Sequence, residues 1–222
     1  QILSMEEMDE KQHLEFKKNL LYHLGLDPKK TPIANASHGL EGGYRYSTPT
    51  LVDIDKLLPL ASKTSIHEAG HQEYRQGLGK SDESKYFFTP LGEPASHLID
   101  ESLARFWENH VGRSRQFSGF IGSEIKEHFD LDEEENAIAD AFFGELNEFN
   151  SDNLNRLEAD ELTYHLHILT RYDIERELIN GNIETDDIPE VWQDKMENYL
   201  GVAPDDEKVL GKENGVLQDP HW

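Results

Sequence analysis

No cysteine occurs in the 222 residues, which excludes disulfides, iron–sulfur clusters, thiolate zinc sites and cysteine nucleophiles together. No apolar run reaches the ~18 residues a membrane span needs, and the amino end carries no signal-peptide pattern. These absences set the expectation of a cytoplasmic protein with no membrane partner. Positive charge is scarce as well: 21 Lys and Arg face 45 Asp and Glu, a net charge of −24. Phosphates are repelled at long range by such a balance, so nucleic acid and anionic lipid are excluded as main partners. The length suffices to bury a core, and no internal repeat, low-complexity linker or boundary interrupts it. The expectation is a single domain over 1–222.

What is present is helical periodicity. Apolar residues recur at three and four through Ile2–His23, where Leu14, Leu21 and Leu24 mark a stripe among charges. Residues 27–50 are rich in Pro, Gly, Ser and Thr, and Gly43–Thr48 alternates as a short strand would. Further helices are expected over 53–76, from Pro94 to Val111, from a Ser114 cap to His128, from the acidic run 130–135 to Phe149, over 155–180, and from Asp187 to Leu200. The fold class is mainly α, with a short β segment near 43–48.

One motif carries chemistry. His67-Glu68-Ala69-Gly70-His71 is H-E-x-x-H within the second predicted helix. Residues four apart share a face, so both imidazoles can hold one metal ion while Glu68 lies one step round the axis. Glu68 is then placed to take a proton from water and pass it to a leaving amine. Chance alone gives about 0.07 such matches in a chain of this composition, so two surface histidines on an acidic helix is the competing reading. A catalytic zinc needs a third protein ligand. Glu101 follows His71 by thirty residues on the next predicted helix, across a glycine-bearing loop. Its alternative is an exposed carboxylate paired with Arg105 at i+4.

Several further blocks resemble the thermostable carboxypeptidase family, the M32 metallocarboxypeptidases. They are Ile66–His71, Asp100-Glu101-Ser102 with Arg105–Asn109, Val111–Arg115, Arg156–Tyr164, and Gly215–Trp222, which matches the family's G-x-x-Q-D-x-H-W. The blocks stand in the family's order, from about residue 10 to the end. The resemblance implies a helical metallopeptidase with an H-E-x-x-H zinc helix and a second ligand helix. It would use Zn²⁺, or Co²⁺, to remove residues from the end of a peptide with a free C-terminal carboxylate. His67, His71 and Glu101 match the metal ligands, and Glu68 the general base and acid. Arg156 and Arg45 match arginines suited to gripping the substrate carboxylate through a planar fork. His221 matches a cleft-lining histidine. Tyr164 is added on its own account as an oxyanion donor, with ordinary packing as the alternative. Homodimerisation is a further expectation from the family.

The departures bear on the substrate side. The family's H-P-F block is reduced to His38-Gly39-Leu40, and Gly43 and Ser47 stand where its D-x-R-x-T block has Asp and Thr. Asp100 replaces the histidine before the third ligand, and Asn155 replaces an isoleucine. Family chains are about twice as long, so the reading is a shortened member lacking the amino-terminal portion and the end of the chain. His97, one turn before Glu101, and Asp100 are candidates to support the ligands through hydrogen bonds. His165 and His167 flank Leu166 and so point to different sides. Two rivals stand beside the peptidase. One is a zinc-binding scaffold of the same family with little or no turnover. The other is an acidic helical interaction module with no metal.

Overall fold

Serine, aspartate and glycine residues set several of the helix boundaries. The computed structural model describes residues 10–27, 33–35, 50–52, 58–78, 89–90, 96–150, 152–156 and 159–204. It is mainly α-helical, and by its contacts the chain divides into two compact units, Gln1–Leu146 and Asn147–Trp222. No helix among the described residues is long and apolar enough to cross a membrane.

In the first unit, α1 (Glu10–His23) is followed by two three-residue strands, β1 (Ile33–Asn35) and β2 (Thr50–Val52), which pair in parallel. The β segment expected near 43–48 lies outside the described residues. Next come α2 (Leu58–Leu78) and α3 (His97–Arg105), which runs on into a π-helical turn at Phe106–Val111. Helices α4 (Arg115–Phe129) and α5 (Glu135–Leu146) complete the unit.

The caps follow from the sequence. The Ser96 hydroxyl accepts from Ile99 N at 3.2 Å and opens α3, three residues later than Pro94 predicts. Ser114 does the same for α4 through Phe117 N at 3.1 Å, as expected. Asp130 closes α4 in the left-handed conformation (φ 51°). The acidic run flanks the amino end of α5, as expected, with Glu135 as its first helical residue, and the helix ends at Leu146, three residues before the expected Phe149.

The core gathers Phe16 and Leu20 from α1, Ile66 from α2, Phe117, Ile121 and Ile125 from α4, and Ile138, Phe142 and Leu146 from α5. Two close approaches need glycine. A Cβ at Gly122 would meet that of Ala139 at 3.0 Å, and a Cβ at Gly70 would stand 2.6 Å from Ala104 Cα. The second contact clamps the H-E-x-x-H helix against α3.

In the second unit, α6 (Tyr164–Ile179), a 3₁₀ turn (Thr185–Asp187) and α7 (Ile188–Leu200) pack around Ile174, Trp192 and Met196. Gly181 (φ 70°) and Gly201 (φ 72°) supply the left-handed residues that end the two helices. The helix expected from residue 155 starts only at Tyr164. Asp160 is the reason: its carboxylate accepts from Leu162 N at 2.8 Å, Thr163 N at 3.0 Å and the Thr163 hydroxyl at 2.7 Å. Such local bonds offer the backbone an alternative to helix. Arg156 and Asp160 therefore precede the helix on which Tyr164, His167 and Arg171 lie.

Candidate metal centre

The H-E-x-x-H segment lies within α2, so His67 and His71 stand one turn apart on the face turned toward α3. Their Nε2 atoms are 3.2 Å apart. Glu101, in the first turns of α3, brings Oε2 to 3.6 Å from His67 Nε2 and Oε1 to 3.7 Å from His71 Nε2. One ligand atom from each of the three lies within 4.8 Å of the others. Two ligands of a tetrahedral zinc, each ~2.0–2.1 Å from the ion, stand roughly 3.3 Å apart. The donor set of two imidazoles and a carboxylate, at these separations, therefore fits a divalent ion with a coordination position left open.

Each imidazole is held from behind. His67 Nδ1 donates to Glu108 Oε2 at 2.8 Å, and His71 Nδ1 donates to Asp100 Oδ1 at 2.9 Å. Asp100 is itself met by Arg75 at 3.1 Å. Glu108 receives Arg105 at 2.7 Å on the same oxygen and faces Lys63 Nζ at 3.4 Å through Oε1. Burial pulls the Glu108 carboxyl up, but the His67 hydrogen bond, then Lys63 and Arg105, hold it down at about 2. Burial lowers the Lys63 ammonium to about 8, with Glu108 pulling the other way.

Glu68 lies one step round α2 and is buried. Its Oε2 has no hydrogen-bond partner among the described residues. Burial raises the Glu68 carboxyl above its ordinary range, against the pull of His67 and His71. A carboxylate held dry beside a metal-ligand cluster has the disposition of a proton acceptor for water. His97 is almost fully exposed, with Nε2 3.8 Å from Glu101 Oε1, beyond hydrogen-bond reach.

Of the other predicted residues, Arg156 and Tyr164 come together in the second unit, where the guanidinium donates to the tyrosine hydroxyl and sits 5.4 Å from its ring centroid. Tyr164 is mostly buried there, and His167 is buried while its neighbour His165 is exposed. Arg45 and His221 lie outside the described residues. Glu108 is the residue of this region whose part the sequence reading missed. Its available signal was Lys63, four residues before a ligand on the buried face of a helix, where a cation needs a carboxylate opposite.

The chain resembles known proteins over most of its length. Thermostable carboxypeptidase 1 of Thermus thermophilus is 40% identical over 158 residues, 71% of this chain and 29% of that protein. Carboxypeptidase 1 of Bacillus subtilis is 35% identical over 158 residues, again 71% of this chain and 29% of the relative. The crystal structure of the M32 carboxypeptidase from Deinococcus radiodurans superposes with a TM-score of 0.78 at 28% identity, covering 93% of this chain and 40% of that one. The chain thus spans less than a third of the length of these curated relatives. The profile of the carboxypeptidase Taq (M32) metallopeptidase family matches residues 1–222, and with the H-E-x-x-H cluster intact at its centre the chain belongs to that family.

Proposed function

We propose that the chain is a zinc-dependent carboxypeptidase that hydrolyses the last peptide bond of peptides bearing a free C-terminal carboxylate. The observation that carries this reading is the convergence of His67 Nε2, His71 Nε2 and Glu101 beside a buried, unpartnered Glu68 oxygen. A zinc ion held by those three residues would polarise the scissile carbonyl and acidify water. Glu68 takes the proton of the attacking water and returns it to the nitrogen of the departing amino acid. Its elevated basicity, a consequence of burial, suits both transfers. Arg156 and Arg45 are assigned to the substrate carboxylate, Tyr164 to donating a hydrogen bond where negative charge develops, and His221 to lining the cleft.

A second reading, a metal-holding scaffold with little turnover, is favoured by Gly43, Ser47, Asp100 and Asn155, which depart from the family's blocks. Hydrolysis of an amino-blocked dipeptide by zinc-reloaded protein, beside a Glu68→Gln partner, separates the two. Turnover that disappears with Glu68→Gln while zinc remains supports the peptidase. Bound zinc with no turnover in either protein supports the scaffold.

A further inference from the structure

We infer that Glu108 is the positioning residue of His67, carried on the helical turn that continues α3. The inference rests on the reading that His67, His71 and Glu101 hold a divalent ion. Asp100 and Glu108 both reach across to α2, one behind each imidazole, yet they are eight residues apart. An ideal α-helix turns Glu108 about 80° from Asp100, which is inside the sector from Asp100 to Glu101 that faces α2 and about 20° from Glu101. The π turn at Phe106–Val111 is wider, with Gly112 N bonded to Trp107 O at 2.8 Å, five residues back. The wider turn keeps Glu108 within that sector, where His67 and Lys63 meet it.

The two Glu108 oxygens divide the work. Oε2 accepts from His67 Nδ1 at 2.8 Å, so the His67 proton sits on Nδ1 and the Nε2 lone pair points to His71 and Glu101. Oε1 lies 3.4 Å from Lys63 Nζ, and the Arg105 guanidinium shares Oε2 at 2.7 Å. A buried carboxylate needs such cations to stay charged. Glu108 thus has a separable pair of roles: it fixes one tautomer and ring orientation of His67, and it neutralises Lys63. An aspartate–arginine pair serves His71 on its own, through Asp100 and Arg75.

The test uses the 222-residue chain in three forms: wild type, Lys63→Met, and Lys63→Met with Glu108→Leu. Glu108→Leu alone leaves the Lys63 ammonium buried without its carboxylate and risks unfolding, whereas the double variant replaces both by apolar groups of similar size. Zinc affinity is measured by chelator competition, and the His67 tautomer by ring ¹⁵N shifts of the metal-free protein at alkaline pH, where the ring is neutral. Lys63→Met is expected to bind zinc within about threefold of wild type with the proton on His67 Nδ1. The double variant is expected to bind about 10- to 100-fold more weakly, with His67 a mixture of tautomers. Equal affinity and an unchanged tautomer in the double variant would overturn the inference while leaving the metal site standing. No stoichiometric zinc in wild type or Lys63→Met would overturn the metal reading, and the inference with it.

Discussion

Glu68 sits in a conflict of forces that suits a proton carrier. Burial disfavours its charge, the two neighbouring imidazoles favour it, and one of its oxygens has no protein partner among the described residues. Replacing it with glutamine removes the basic oxygen and a poorly solvated charge while keeping the shape. The variant is therefore expected to retain stoichiometric zinc and to lose roughly 10²- to 10⁴-fold in turnover. Its thermal midpoint should be unchanged or higher than wild type. Metal analysis, dipeptide hydrolysis and thermal unfolding on one preparation check all three, and a variant that keeps turnover removes Glu68 from the mechanism.

At the scale of elements, the seam between α2 and α3 governs the site. Gly70 stands between His67 and His71, and a methyl group there would press 2.6 Å from Ala104 Cα, against backbone that cannot swing aside. Gly70→Ala should part the helices and carry Glu101 from the imidazoles. We expect a loss on the order of 1–3 kcal/mol in stability, with zinc affinity reduced in step, both read from urea unfolding with and without metal. Unchanged midpoints would mean the seam is loose. This seam also marks where sequence reading stops. The i, i+4 pair His67 and His71 was legible because its geometry is local to one helix. Glu101 was legible through its spacing and the block around it. Glu108 is not legible as a partner of His67: it stands seven residues after Glu101 on the same helical face, but spacing alone does not separate a buried acceptor from a solvated carboxylate. Likewise α6 starts nine residues later than the periodicity predicts, since Asp160 reads as one more charge on a helical face, whereas in the fold it accepts four hydrogen bonds, from Asn150, Leu162 and Thr163.

Over the whole molecule, acid should act on both units. His13 in α1 and His167 in α6 are buried, and burial first, then neighbouring positive charge, lowers each to about 4. Their unfolded values lie near ~6.5. Because the folded state binds these protons more weakly, their contribution is full above ~6.5 and is lost as pH falls from there toward 4. Each histidine should cost on the order of 1–3 kcal/mol over that range. Urea midpoints of the metal-free protein at intervals from pH 7.5 to 4 check the slope. His167→Gln should flatten part of it, and a flat profile in the wild type would contradict the burial argument. The net charge of −24 adds to this from the other side, since carboxylates repelling one another at neutral pH relax as they protonate. The histidine contribution is therefore best read as the difference between wild type and variant.

The proposed chemistry requires a divalent ion at His67, His71 and Glu101, and zinc stoichiometry is its sharpest test. The full chain, stripped by chelator and reloaded, should hold one zinc per molecule, and His71→Ala prepared identically should hold none that survives desalting. Wild-type protein without stoichiometric zinc, or a His71→Ala variant that binds as the wild type does, would contradict it.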